Sequence, residues 1–239
     1  MRGYRTYDDP ERRLDSAAMS FSTIRPRGAL RGAINGASFR TIEAVTKWIA
    51  LHGSIGPDTA RGRQFAAFGR GSIICHPQTT IFNEAYIEIG SDTMIGPNVA
   101  LSAGMIPGQE CLTSPVVRIG DRCLIGRGSG IVGHLAIEIG NDVWTGHHVY
   151  ITDQNHDYRD TSRPISQQSQ PERPVSIGDG SWIGHGTVVL PGARIGRHVA
   201  VGANSVVTGD LPDHCVAVGS PARVIKRYEP DKGWYDVSR

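Results

Sequence analysis

What this sequence has little of narrows it first. Its four cysteines, Cys75, Cys111, Cys123 and Cys215, form no CxxC pair. That spacing offers neither a zinc site nor a disulfide framework, and it predicts reduced thiols. An excess of charge of one sign is missing too: 25 Lys and Arg stand against 23 Asp and Glu, a net of +2. Such a balance leaves no electrostatic footprint for a nucleic-acid partner. No apolar run approaches the ~18 residues of a membrane span. Met1 to Asp15 is polar and charged, without the apolar stretch of a secretory leader. Together these absences predict a cytoplasmic protein. Glycine is abundant, at 30 residues, and hydrophobic residues make up 39 % of the chain. Many turns and a real core are both expected.

The core announces itself as a repeat. From Ile177 to Val207 every sixth residue is aliphatic: Ile177, Ile183, Val189, Ile195, Val201, Val207. Glycine follows four of them, at Gly178, Gly184, Gly196 and Gly202. Four places after the aliphatic stand Ser181, Thr187, Ala193, Val199 and Ser205, all small or β-branched. A period of six fits neither a helix nor a plain strand; it marks a hexapeptide repeat. Three hexads, about 18 residues, close one triangular coil of short strands and corners. Coils then stack at about 4.8 Å as parallel strands, with the aliphatics in columns along the axis. Each buried aliphatic contributes roughly 1.5–3 kcal/mol before entropy is subtracted. No hexad can hold alone; the stack is the core.

The same register appears upstream. Ile89, Ile95 and Leu101 are followed by Ile119, Ile125 and Ile131, and then by Ile139, Thr145 and Ile151, offset by two residues. Leu101 to Ile119 keeps the register across a poor stretch, so 103–115 is expected to bulge outward. Residues 157–174 break the pattern with Pro164, Pro171 and Pro174, and are expected to project as a loop. Ser38 to His52 has helical spacing, with Phe39, Ile42, Val45 and Ile49 on one face, Ser38 as cap and Gly53 as stop. The predicted layout is an arm and a helix packing on the repeat domain (1–67), the repeat domain (68–227) and a C-terminal tail (228–239). The first 26 residues, with Arg2, Arg5, Arg12, Arg13 and Arg25 among acidic residues, read as an arm.

Three motifs carry a resemblance. They are the repeat itself, the stretch Ile151-Thr152-Asp153-Gln154-Asn155-His156-Asp157-Tyr158 with Arg163-Pro164-Ile165, and the exit Gly219-Ser220-Pro221-Ala222-Arg223. From about Phe68 to Arg227 the chain resembles the hexapeptide-repeat acyltransferases, nearest the isoleucine-patch sugar O-acetyltransferases related to maltose and galactoside acetyltransferases. The resemblance implies an all-β fold, a left-handed parallel β-helix. It also implies a homotrimer with sites between subunits, acetyl-CoA or another acyl-CoA as co-substrate, and no metal.

The chemistry implied is acyl transfer from a thioester to a hydroxyl. An alcohol is a weak nucleophile at neutral pH, so a base must take its proton in the transition state, typically worth 10²- to 10⁴-fold. His156 matches the family's general base, and a histidine with an ordinary pKa of ~6.5 suits the task. Asp153, Asp157 or Asp160 could orient its ring. The acceptor site is expected to draw on His134, Asp153, Asn155 and Tyr158. At His134 the sequence departs from galactoside-type relatives, which carry an acidic pair at that turn. The donor is expected to lie against Trp182, Gly184, His185, Gly202, Ala203 and Thr208, with Pro221, Arg223 and Lys226 toward its phosphates. Relatives often have lysine after the threonine; here Gly209 stands there. The predicted activity is acyl-CoA-dependent O-acylation of a sugar or glycoconjugate. N-acylation of an amino sugar and a non-catalytic trimeric scaffold are the alternatives. A γ-type carbonic anhydrase, built on the same fold, would need two zinc histidines five residues apart, and no pair among the nine histidines has that separation.

Overall fold

The structure, a computed structural model, describes residues 29–237. The arginine-rich arm lies outside the described residues. The chain falls into two compact units, Met1–Val45 and Thr46–Arg239. Among the described residues one α-helix, α1, runs Ala29–Gly53. It begins earlier than the capping signal at Ser38 predicts, so Ser38 sits inside it, and it stops at Gly53 as expected. The apolar side chains along it, Phe39, Ile42, Val45, Trp48 and Ile49, are exposed.

The second unit is a parallel β-helix of three sheets, and it is the left-handed helix of the hexapeptide class. Strands visit the three faces in fixed order. Trp144–Thr145 lies on the first face, Tyr150–Thr152 on the second, and Val175–Ile177 on the third. Register confirms the stacking read from the period: Ile177 pairs with Ile195, Ile183 with Val201, and Val189 with Val207. The inward columns are dry. Ile89, Ile119, Ile139, Ile177 and Ile195 form one of them, each 2 % exposed or less. Thr145 takes an inward position on the first face and is also buried, its Oγ1 accepting the Gly126 N–H at 2.9 Å. A buried hydroxyl is tolerated there because it is paired.

The two-residue offset after Ile131 has a local cause: the turn His134–Ala136 is longer than a standard corner. Leu101 and Ile119 lie on different faces and do not stack on each other; Ile119 stacks on Ile89. Leu101 stacks on Ile131, 30 residues on, because 104–115 leaves the coil as an excursion. The fifth-position rule also has a physical reason. Ser72, Thr93, Ser181, Thr187 and Ser205 are buried beside the corner and hydrogen-bond across it; the Ser181 hydroxyl, for example, donates to Gly196 O at 2.9 Å.

Outward positions differ between faces. The first face presents Ile73, Met94, Leu124, Trp144, Trp182 and Ala200 in register. The second presents Ala100, Gly130, Tyr150, Val188 and Val206. The third presents Glu88, Arg118, Glu138, Ser176 and Arg194, with Arg118 and Glu88 ion-paired at 3.1 Å. Two faces are thus apolar and one is charged. The segment 228–239, predicted as a tail, takes part in regular structure: Arg223–Glu229 and Gly233–Asp236 add an antiparallel hairpin to the first sheet. All four cysteines are free thiols, and burial pushes the Cys123 thiol up.

Candidate active site

The corner between the first and second faces is regular. Gly96–Val99, Gly126–Ser129, Gly146–Val149, Gly184–Thr187 and Gly202–Ser205 turn alike, with Asn98, Gly128, His148, Gly186 and Asn204 all in the left-handed region. Glycine is required at the tightest of these turns, since a Cβ on Gly126 would overlap Gly146 O and one on Gly184 would stand 2.5 Å from Ala203 N. The corner between the second and third faces is different. Segment 104–115, the turn His134–Ala136 and segment 153–174 all leave the helix there.

Segment 153–174 is not a loose loop. Its neck is an antiparallel ribbon. The Arg173 N–H donates to Asp153 O at 2.8 Å, Asn155 N–H to Pro171 O at 3.1 Å and Asp157 N–H to Ser169 O at 2.9 Å. Gln154 and Glu172 form a bridge between these rungs. His156 is carried on this ribbon, exposed, and its ring makes no hydrogen bond with any described residue. Its backbone N–H donates to Asn155 Oδ1 at 2.9 Å.

None of the three candidate carboxylates reaches that ring. Asp153 is fully buried; Oδ1 accepts the His134 N–H at 2.8 Å, and Oδ2 accepts the Leu135 and Ala136 N–H groups at 2.8 and 2.7 Å. This corrects the expectation that Asp153 meets a ligand: it is a clamp that fixes the His134 turn to the root of the ribbon. Asp157 accepts the Tyr158 and Arg159 N–H groups, and the bond from Arg159 holds its carboxyl below the usual range. Asp160 is held low by the Ser162 hydroxyl and then by Arg163.

His134 lies on the coil before the ribbon. Its side chain is only 6 % exposed, with Nδ1 3.6 Å from Glu172 Oε1. The structure therefore brings His134 and the His156 ribbon together through Glu172, a residue that sequence reading passed over. Its only signal is its place opposite Gln154, which needs the ribbon's register to be known. Tyr158 and Asn155 are exposed on the ribbon.

The donor candidates sit elsewhere. Trp182 projects from the first face, 49 % exposed, and Gly184, His185, Gly202 and Ala203 lie at the regular corner. The His185 ring packs edge-on against His147 and His148, with centroids 6.3 and 5.6 Å apart. Thr208 and Arg223 line a pocket of about 180 Å³ with Gly209, Asp210 and Ala222. Exposed Pro221 precedes it at the exit. Lys226 is ion-paired to Asp236 at 2.9 Å, which leaves Arg223 as the cation there without a carboxylate partner among the described residues. The second face lies between the corner that carries His185 and the corner from which the His156 ribbon leaves. A cavity of about 410 Å³ also lies on the irregular side, between Phe82–Tyr86 and Pro107–Glu110, but it holds none of the predicted site residues. Among the described residues no group of three or more His, Cys, Asp or Glu could hold a metal ion. No helix among them is long and apolar enough to cross a membrane.

The coil geometry and the six-residue columns define the class of fold: a left-handed parallel β-helix built from hexapeptide repeats. Residues 174–209 match the bacterial transferase hexapeptide model (six repeats), and residues 116–152 match the hexapeptide repeat of succinyl-transferase. A Mycobacterium tuberculosis protein named as a probable acetyltransferase is 42 % identical over 110 residues, 46 % of this chain and 37 % of the relative. The galactoside O-acetyltransferase of Lactococcus lactis is 37 % identical over 97 residues, 41 % and 46 % of the two chains. The matched part thus spans less than half the length of either relative. Among solved structures, the N-acyltransferase AntD of Bacillus cereus, in complex with dTDP and coenzyme A, superposes with a TM-score of 0.61. It is 21 % identical, over 74 % of this chain and 92 % of that one, a likeness of fold.

Proposed function

We propose that this chain is an acyl-CoA-dependent O-acyltransferase, transferring acetyl to a hydroxyl of a sugar or glycoconjugate, with His156 as general base. The observation that carries the reading is the unpartnered His156 ring, held out on a hydrogen-bonded ribbon. One ring nitrogen takes the acceptor's hydroxyl proton as its oxygen attacks the thioester carbonyl. The C–S bond then breaks, and the imidazolium returns the proton to the coenzyme A thiolate. The names of the relatives support the reaction class, and galactoside O-acetylation in one of them supports a sugar acceptor.

A single chain holds the base and the donor wall on opposite corners. The reading therefore requires a second copy: the apolar first face of one protomer against the apolar second face of the next, repeated around a threefold axis. His156 of one protomer then faces the Trp182–His185 wall of its neighbour. Arg223 suits a coenzyme A phosphate, while Gly184 and Gly202 serve the wall by letting coils approach closely. Acyl-CoA as donor places the reaction in the cytoplasm.

The test is a panel of acyl-CoA donors and sugar acceptors, read by thiol release and by mass spectrometry of the products. Transfer to a sugar hydroxyl that His156→Ala abolishes is the expected result. Transfer undiminished in His156→Ala, or none from any acyl-CoA, would overturn the reading.

A further inference from the structure

The ribbon that carries His156 also fixes what stands opposite it. The rungs 153–173, 155–171 and 157–169, and the Gln154–Glu172 bridge, all obey one register. That register pairs His156 with Gln170. The pair falls between two hydrogen-bonded rungs, so the two side chains rise from the same face of the ribbon, with Cβ atoms about 4.5–5.5 Å apart. Ser169 Oγ and Asp157 Oδ2, 3.4 Å apart on the next rung, show cross-strand partners meeting in this way.

Gln170 has a second peculiarity. Its Oε1 is the one buried side-chain N or O atom among the described residues without a hydrogen-bond partner. A buried amide oxygen left unpaired costs about 1–3 kcal/mol, so each such atom in a folded chain calls for an explanation. Across the ribbon stands an imidazole whose ring nitrogens are equally without partners. The two unmet hydrogen bonds are complementary. A neutral imidazole carries one N–H and one lone pair, and a base must keep its lone pair toward the acceptor. We propose that Gln170 is the positioning residue for His156: its Oε1 accepts the ring N–H and so fixes the tautomer whose other nitrogen faces the acceptor hydroxyl. The inference rests on the reading of His156 as the base. It replaces the carboxylates Asp153, Asp157 and Asp160, whose oxygens are engaged elsewhere.

An amide in this place has a chemical consequence. It orients the ring without adding a negative charge, so it does not favour the protonated imidazolium as a carboxylate would. Gln170→Glu keeps the size and the acceptor oxygen but adds the charge.

The test uses the full chain labelled with ¹⁵N-histidine, where the His156 ring signals are those missing from His156→Ala. The wild type is expected to show one dominant tautomer. Gln170→Ala should mix the tautomers and lower kcat about tenfold, with KM for acetyl-CoA and for the acceptor within about twofold. Gln170→Glu should restore the single tautomer and raise the midpoint of the ring titration by about one pH unit. It should move the acidic limb of kcat/KM upward with it. A role confined to holding the ribbon together would leave the tautomer ratio and both midpoints unchanged across the variants, and that result overturns the inference. If Gln170→Ala does not fold, the near-isosteric Gln170→Glu carries the test alone. Full activity in His156→Ala would instead remove the base reading while leaving the tautomer measurement to be judged by itself.

Discussion

The two corners at the ends of the second face invite comparison. The regular one, through Gly126, Gly146, Gly184 and Gly202, repeats one backbone turn coil after coil, whatever side chain it carries, from Ala203 to the packed rings of His147, His148 and His185. The irregular one carries 104–115, the His134 turn and the 153–174 ribbon, and no two of its coils are alike. Regularity there would have left only short turns, with no side chain held away from the prism. The difference teaches a division of labour: stacking supplies a straight wall, and interruption supplies placed side chains. Asp153 shows how interruption is made compatible with stacking. One buried carboxylate satisfies three amides that a standard corner would have paired along the coil.

The comparison can be broken at either corner. The largest effect is expected from His156→Ala, a loss of about 10²- to 10⁴-fold in turnover with an unchanged melting curve. Steady-state kinetics beside circular dichroism would check both halves of that statement. Next comes Asp153→Ala, which strands the His134, Leu135 and Ala136 amides in a buried place. A loss of roughly 3–5 kcal/mol in denaturant unfolding is expected, against less than about 0.5 for the exposed Asp210→Ala. At the regular corner, Gly184→Val should rival it, because its side chain would collide with the backbone at Ala203. Arg223→Ala should weaken coenzyme A binding several-fold and flatten its salt dependence, measured by calorimetry at two ionic strengths.

The smallest effect is one of pH. The Asp157 and Asp160 carboxyls are lowered in the folded ribbon by their hydrogen bonds. Groups lowered in this way stabilise the fold above the ordinary carboxylate pKa of about 4, and that stabilisation is lost as pH falls through the folded values. Both are exposed, so solvent limits the gain. Hydrogen exchange at pH 6 and pH 3 should show faster opening of the Asn155 and Asp157 amides in acid, relative to Gly178 in the stack.

Much of the fold was legible because it repeats. Ile177, Ile183 and Val189 reveal a triangular coil since each must stack on a like residue, and a period survives in the sequence unaided. The excursions were legible only as breaks. Within them the polar residues of 153–174 show no apolar alternation, so the ribbon and its register are invisible, and with them the pairing of His156 with Gln170. Asp153 looked like a site residue because it stands beside the histidine. Its burial depends on a turn 17 to 19 residues earlier, which spacing does not reveal. The helix start was misplaced since Ser38 has the chemistry of a cap wherever it stands. The boundary at 228 cuts through the hairpin Arg223–Asp236, because its strands carry no six-residue period and mostly charged and aromatic residues.

The central claim is that the base and the donor wall come from different copies of the chain. It is tested most directly by mixing two dead variants. His156→Ala lacks the base but keeps the wall. Ala203→Trp, at an exposed position of the regular corner, keeps the base but blocks the wall. The account predicts that co-refolded mixtures regain a substantial fraction of wild-type thiol release, since some interfaces pair an intact His156 with an intact wall. Mixtures confirmed as hetero-oligomers by native mass spectrometry that stay as inactive as either variant alone would contradict it.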